Sequence, residues 1–471
     1  MSRNYKEKII KAFDQADQYE KFASIQKIVA KKLSDFIRKQ FRTSVDRKEK
    51  ISILEIGCGT GLLTQYLIDF FPDAHFVLTD ISPEMLNRAK NKFKNHKYDL
   101  TFKLMDGEYP ELDEKYDLIC SSLTFQWFDN VASAIRTLTN YLKQNGYLIC
   151  STLTFETFKE WRSIYNNNDF SCNLQTYPSI ESIQSVWPET GTGRWETDEI
   201  IVQIDTAIDF FKGLRSIGAS VPLETSKPLK LSQFKKVLSD FSKNYNYCSY
   251  HIAYGVFRKF SAKGFFVTGT DTDIGKTLIS ACLTKLLNAV YWKPIQTGLN
   301  CDIGDTNTVC HLAELSETQY LSPIIKLQAP LSPEDAARLE NRELSLDHVN
   351  VSDLKQENKY IVEGAGGIFV PINDHLFIID LIEKINLPVI VVARTILGTL
   401  NHTLMTIEAL RNRNIKISGV ILNGPLNEDC KNSIISHGKV KILGQVPFLS
   451  NVNPDNLSTL CECISIPEEM V

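Results

Sequence analysis

Twice in this chain a short apolar strand pattern runs into a glycine-rich turn and then into a helical pattern: "ILEIGCGTG" at residues 53–61 and "GFFVTGTDTDIGKT" at residues 264–277. Strand, glycine turn and helix in that order form the opening of a βαβ unit, which implies parallel strands covered by helices. Each turn starts its own series. After the first come "HFVLTDI", "YDLICSS" and "GYLICST", alternating with helical stretches such as "SPEMLNRAKNKF" and "VASAIRTLTNYLK". After the second come "NKYIVEGAGG", "LPVIVVART", "ISGVILNGP" and "ILGQVPF". Nothing in the first series repeats in the second. The expectation is two unlike α/β domains, 1–258 and 264–471, joined by the short "RKFSAKG". Residues 5–40 carry apolar positions at helical spacing. Residues 155–250 are less regular and read as helical insertions or a lid, followed by a returning strand at "YHIAYGVFRKF".

Composition excludes several classes. The chain has 471 residues, enough for two or three domains, with 43% apolar and 23% charged residues. No apolar run approaches the roughly 18 residues of a spanning helix, and the charged start "MSRNYKEKIIKAF" lacks the apolar core of a signal peptide. The net charge of −4 argues against nucleic-acid binding. Eleven cysteines form no CxxC pair and eight histidines form no HExxH, so reduced thiols in a cytoplasmic protein are expected rather than disulfides or zinc. Residues 1–50 hold fourteen Lys/Arg against seven Asp/Glu. They are either solvated helix faces or a docking surface for an acidic partner, with Lys31, Lys32, Arg38 and Lys39 as candidates.

In the first loop Gly57, Gly59 and Gly61 follow a strand directly, where glycine permits a tight turn and close approach of a ligand. The spacing is GxGxG, not the dinucleotide fingerprint GxGxxG. Asp80 ends the next strand, nineteen positions past Gly61, where a carboxylate can take both ribose hydroxyls. "MDGE" (Asp106) follows the third strand. This set resembles the class I methyltransferases, with a Rossmann-like sheet. The resemblance implies S-adenosylmethionine as cofactor, with Glu55 and the Gly57–Gly61 loop at its amino-acid part. Asp80 and Ile81 would hold the ribose and adenine, and Asp106 the adenine amine. "IIKAFDQADQYEKFA", "SSLTFQWFDN", "STLTFETFKEW", "FFKGLRSIGA" and "YHIAYGVF" are similar to the malonyl-acyl-carrier-protein O-methyltransferases of biotin synthesis, over about residues 5–258. Arg215 stands at that family's basic position and is the candidate for recognising the acceptor carboxylate. Tyr19, Gln126, Trp127 and Tyr250 are candidates for closing the pocket, with core packing as the alternative. Carrier proteins are acidic, which would explain the basic first fifty residues.

The second loop ends in GKT between a strand and a helix, so backbone N–H groups would wrap phosphate. Five residues separate Gly269 from Gly275, one more than the usual pattern. Partition and septum-positioning ATPases carry an extra early lysine; here that region holds Asp271 and Thr272. With "YWKPIQTG", "IGDTN", "VEGAGGIFVPI", "LGTLNH", "ILNGP" and "GQVPFL", residues 264–460 resemble the dethiobiotin synthetases, a P-loop-type parallel sheet with flanking helices. The resemblance implies ATP, with Mg2+ on Thr277, Asp305 and Glu363. Lys276 and Lys293 would be catalytic, stabilising phosphoryl and carbamate charge. Asp273, Ile274, Gly275 and Leu278 would line the phosphates. Gly364, Ala365, Gly366, Asn423, Gly424, Pro447, Phe448 and Leu449 would complete the nucleotide site. Thr272 and Thr297 would touch the substrate. Gly398 and Asn401 would take its carboxylate across a homodimer interface. Gly424 stands where relatives often have Asp.

Together the resemblances imply two biotin-pathway enzymes on one chain. One methylates malonyl-acyl-carrier protein. The other builds dethiobiotin from 7,8-diaminononanoate, CO2 and ATP through a carbamate and a mixed anhydride. Two alternatives stay open from the residues: a regulatory ATPase in the second half, and a binding module or a methyltransferase for another small acid in the first. No nucleic acid or membrane is expected as a partner.

Overall fold

The computed structural model describes residues 3–41, 50–172, 174–221, 229–351, 354–449 and 451–466. The chain divides into two compact units, Met1–Lys259 and Phe260–Val471, and both are α/β.

The first unit is built on seven strands: β1 (Ser52–Ile56), β2 (His75–Asp80), β3 (Asp99–Leu104), β4 (Tyr116–Ser122), β5 (Leu142–Leu153), β6 (Gly191–Gln203) and β7 (Tyr247–Lys259). Their order is β3-β2-β1-β4-β5-β7-β6. β1 to β5 are parallel, and β7 runs antiparallel between β5 and β6. The order reverses between β1 and β4, which opens a crevice at their carboxyl ends. Helices on both faces leave β1 and β4 buried almost throughout. One of these helices, Ser24–Phe41, buries Ile25, Val29, Leu33, Ile37 and Phe41. They recur every four residues and so share a face, and burying each contributes about 1.5–3 kcal/mol. The helix Pro83–Phe93 starts where Ser82 Oγ accepts from the Met85 N–H at 3.1 Å, with proline at its first position.

β6 corrects the reading of residues 155–250 as helical insertions or a lid. Helices Lys159–Asn167, Ala207–Ser216 and Leu231–Asn244 are present, but thirteen residues between them pair with β7 along their whole length. β6 is an edge strand, and its second half alternates between half-buried and exposed residues. Its charged residues, among them Glu196, Asp198 and Glu199, hid it from a search for apolar runs.

The second unit holds β8 (Lys263–Gly269), β9 (Val290–Trp292), β10 (Ile295–Gln296), β11 (Tyr320–Leu321), β12 (Ile325–Lys326), β13 (Lys359–Gly367), β14 (Val389–Arg394), β15 (Ile417–Asn423) and β16 (Ile442–Val446). Seven form one sheet in the order β11-β9-β13-β8-β14-β15-β16, and β10 pairs with β12. Every pairing in the seven-stranded sheet is parallel. β8 lies at its centre, so the glycine loop after it emerges between the ends of β13 and β14. Among the described residues no helix is long and apolar enough to cross a membrane.

Candidate active sites

The crevice of the first unit holds a narrow cleft of about 90 Å3. Gly57, Gly59, Asp80, Ile81, Asp106, Trp127 and Tyr19 are among the residues that line it. Gly57 has φ +64°, and a Cβ there would lie 2.3 Å from Thr124 Oγ1. Both the backbone and the space therefore exclude a side chain. Asp80 ties the loop to β2: its Oδ2 accepts from the Gly59 N–H and its Oδ1 from the Ser82 N–H, both at 2.8 Å. Burial pushes its carboxyl up to about 6, against the pull of those backbone N–H groups. Glu55 and Gly61 lie outside the lining. Glu55 is buried behind the loop, where Oε2 accepts from Thr64 Oγ1 at 2.7 Å, and burial pushes it up to about 8. Gly61 caps the helix Leu62–Phe70.

Asp106 Oδ1 accepts from the Glu108 N–H at 3.0 Å, and Oδ2 from Lys6 Nζ at 2.6 Å. The remaining candidates separate. Trp127 meets Phe13 edge to face at 5.6 Å. Gln126 turns back to donate to the Leu123 carbonyl at 2.5 Å and does not line the cleft. Tyr250 packs on Phe158 at 4.9 Å, also outside the lining. Arg215 is exposed on the helix Ala207–Ser216, away from the cleft wall. A glycine floor open to a ligand and a buried carboxylate at the end of β2 fit a nucleoside-bearing cofactor.

The second site gathers residues from three places in the chain. Thr277 opens the helix Lys276–Leu287, Asp305 opens the helix Asp305–Ala313, and Glu363 lies in β13. Thr277 Oγ1 is 2.6 Å from Asp305 Oδ1 and 3.1 Å from Glu363 Oε1. Lys293, at the end of β9, is buried. Its ammonium is 2.6 Å from Asp305 Oδ2 and 3.0 Å from Glu363 Oε1. Burial pulls Lys293 down, but Glu363 and Asp305 outweigh it and the net shift is upward. For Asp305 burial pushes up, the Lys293 charge wins, and the carboxyl is held low. Lys276 donates to the Asp271 carbonyl at 3.0 Å, and burial lowers it. A hydroxyl and two carboxylates, all hard oxygens, fit Mg2+.

The loop is braced from the far side. Gly275 has φ +93°, and a Cβ would stand 2.1 Å from Asn423 Nδ2, which donates to the Ile274 carbonyl at 2.8 Å. Ile274 is buried and Leu278 half-buried. Asp273 adopts φ +52°. Thr272 is exposed, and its carbonyl accepts from Arg394 at 2.7 Å. Gly364, Ala365 and Gly366 lie near the end of β13. Gly424 follows β15, and Pro447, Phe448 and Leu449 follow β16, with the Phe448 ring exposed. Thr297 follows β10, its carbonyl accepting from Gln296 at 2.7 Å. Gly398 and Asn401 lie at the start of the helix Thr399–Asn412, beside the fully exposed Leu397.

Three residues near these sites escaped the sequence reading. Tyr291 donates to Glu363 Oε2 at 2.9 Å. Gln296 Oε1 accepts from the Asp305 N–H at 3.0 Å. Lys6 reaches Asp106 from one hundred residues away. Tyr291 was within reach of a pattern argument: it precedes Lys293 by two, and residues two apart on a strand share a face.

A profile described as a methyltransferase domain matches residues 54–148, and one described as an AAA domain matches residues 263–456. The biotin biosynthesis bifunctional protein BioCD of Bordetella avium is 40% identical over 448 residues, covering 94% of this chain and 93% of that protein. The chain belongs to that bifunctional family. Its first unit is the methyltransferase half and its second the dethiobiotin synthetase half. The second half alone matches single-function relatives. The ATP-dependent dethiobiotin synthetase BioD of Paramagnetospirillum magneticum is 43% identical over 198 residues, covering 42% of this chain and 94% of that protein. That of Brucella melitensis is 42% identical over 191 residues, covering 41% and 89%.

Proposed function

We propose that the first unit methylates the free carboxylate of malonyl-acyl-carrier protein, and that the second closes the ureido ring of dethiobiotin from 7,8-diaminononanoate, CO2 and ATP. The observation that carries the second activity is the convergence of Thr277, Asp305, Glu363 and Lys293 at hydrogen-bonding distances. The first rests on the Gly57–Asp80–Asp106 cleft within a chain that matches a bifunctional relative almost end to end.

S-adenosylmethionine, when bound, supplies a methyl group activated on a sulfonium. The acceptor carboxylate is already ionised at neutral pH, so the protein needs no general base. Its work is alignment and exclusion of water. Phe13, Trp127 and Tyr19 line the cleft and would do this. Arg215 is a carboxylate receptor only if the acceptor extends to the surface of the Ala207–Ser216 helix. In the second unit Mg2+ would be held by Thr277, Asp305 and Glu363, and supplies charge neutralisation to the nucleotide. Lys293 holds its positive charge where a carbamate would need it. Lys276, at the helix start, would stabilise the transferring phosphoryl group.

For the carrier protein, the basic first helices supply the candidate surface. Lys31 and Lys39 are exposed. Lys32 is paired with Asp198, and Arg38 donates to the Tyr66 carbonyl at 3.2 Å, so Lys31 and Lys39 carry more of this proposal. Further candidates at 42–49 lie outside the described residues. The exposed stretch Ile396, Leu397 and Leu400 beside Gly398 supports a homodimer of the second unit. Eleven free cysteines suit the reducing cytoplasm. Competition between malonyl-acyl-carrier protein and malonyl-coenzyme A, read as methyl ester by mass spectrometry, tests the acceptor. Preferential methylation of the carrier-bound malonyl group is expected. Equal use of both, unchanged by reversing Lys31 and Lys39, would refute the docking surface.

A further inference from the structure

The helix Arg3–Asp14 runs over the methyltransferase cleft. Lys6, Ile9 and Phe13 are spaced three and four apart, share one helix face, and all line the cleft. At its C-terminal end the helix is held by Asp14, whose Oδ1 accepts from Ser82 Oγ at 2.6 Å. Towards its N-terminal end, Lys6 Nζ lies 2.6 Å from Asp106 Oδ2 and 2.7 Å from Glu108 Oε2. Among the described residues that line the cleft, Lys6 is the only Lys or Arg.

Two carboxylates within 2.7 Å of one nitrogen would repel each other without it. Glu108 is buried, and its Oε1 accepts from the Asn130 N–H at 2.8 Å, so it cannot swing away cheaply. Asp106 is gripped on both oxygens, by Lys6 on Oδ2 and by the Glu108 N–H on Oδ1. Each carboxylate oxygen offers about two lone-pair directions. The grip therefore fixes the carboxylate and still leaves it able to accept from a ligand.

We propose that Lys6 is a positioning residue for the cofactor's base: it aims the Asp106 carboxylate at a purine 6-amino group and so makes the cleft selective against a 6-oxo purine. This rests on the reading of Asp106 as the adenine contact. A 6-oxo purine puts a carbonyl acceptor where the amine donor was, and two facing acceptors share no proton. Without Lys6, Asp106 keeps only the Glu108 N–H on Oδ1, its Oδ2 turns towards water, and the discrimination is lost.

The test is calorimetric binding of S-adenosylhomocysteine and S-inosylhomocysteine to the full chain, as wild type, Lys6→Met and Lys6→Arg. Wild type is expected to prefer the adenosyl ligand by at least about tenfold, the scale of one charge-assisted hydrogen bond. Lys6→Met keeps the aliphatic stem; it should lose about tenfold for the adenosyl ligand and under about twofold for the inosyl one. Lys6→Arg should restore most of the preference. Equal losses for both ligands in Lys6→Met would make Lys6 a helix anchor only and overturn the proposal. A wild type without preference would instead refute the reading of Asp106. A second measurement needs no variant. Acetylation of Lys6 by acetic anhydride, read by peptide mass spectrometry, should slow more in saturating S-adenosylhomocysteine than in S-inosylhomocysteine. Equal protection by the two overturns the proposal.

Discussion

The Lys293 ammonium lies 2.6 Å from Asp305 Oδ2, inside the same ring of oxygens that suits Mg2+. The lysine is thus the internal counter-charge of two carboxylates, Asp305 and Glu363, which share Thr277 as well. Removing one partner of a buried ion pair leaves the other charge uncompensated and costs about 3–5 kcal/mol. Lys293→Met should therefore lower the melting temperature of the second unit, and added MgCl2 should recover more of it in the variant than in wild type. Equal Mg2+ responses in calorimetry would contradict a shared cation position.

Tyr291 makes its point through Glu363. Its hydroxyl is buried and donates to Oε2, the oxygen that Lys293 does not touch. Tyr291→Phe leaves that oxygen short of a donor, at about 1–3 kcal/mol. Chemical denaturation should show this loss, and Mg·ADP affinity should fall several-fold because Glu363 is then held on Oε1 alone. Unchanged affinity with reduced stability would confine Tyr291 to the core.

Glu55 contributes a pH dependence to the first unit. Burial raises its carboxyl from 4.5 to about 8, with the Thr64 hydrogen bonds opposing. A raised folded value means that folding takes up a proton. The contribution is full below 4.5 and is lost as pH rises through about 8. Asp80, raised to about 6, acts in the same direction over a narrower window. Protection factors at the β1 and β2 amides, with the base-catalysed intrinsic rate divided out, should fall between about pH 5 and 9, and Glu55→Gln should flatten that slope. A slope identical to wild type would remove Glu55 from the account.

How much of this was legible in the sequence depends on how local each feature is. Both glycine loops could be read because turn, strand and helix are contiguous, and the structure puts Gly57 and Gly275 at positive φ where side chains would collide. The central parallel strands could be read because helices on both faces bury them and leave each a short apolar run, such as Ile53–Leu54 in β1 and Leu118–Cys120 in β4. β6 could not, since an edge strand with one solvated face mixes charge into its pattern. The Lys6–Asp106 pair joins residues one hundred apart, and Tyr291–Glu363 seventy-two apart; no spacing rule reaches that far. Arg215 shows the reverse case, a residue singled out by its motif that the fold leaves on the surface, outside the cleft.

Gly57 offers a way to silence one half. Adding a Cβ at φ +64°, 2.3 Å from Thr124 Oγ1, strains the floor of the cleft, and left-handed strain alone costs about 1–2 kcal/mol. Gly57→Ala should reduce S-adenosylhomocysteine affinity at least about tenfold, read by calorimetry, while dethiobiotin formation stays within about twofold. A parallel fall in both would show that the units do not work independently.

The central claim is that one chain carries two separate active sites, and the Lys293→Ala variant tests it most directly. One preparation would be given S-adenosylmethionine with malonyl-acyl-carrier protein, and separately ATP, Mg2+, bicarbonate and 7,8-diaminononanoate, with both products read by mass spectrometry. Wild type should add the mass of one methylene to the carrier-bound malonyl group and should also form dethiobiotin. Lys293→Ala should keep the first product and lose the second. Absence of either product from wild type, or loss of both from the variant, would contradict the account.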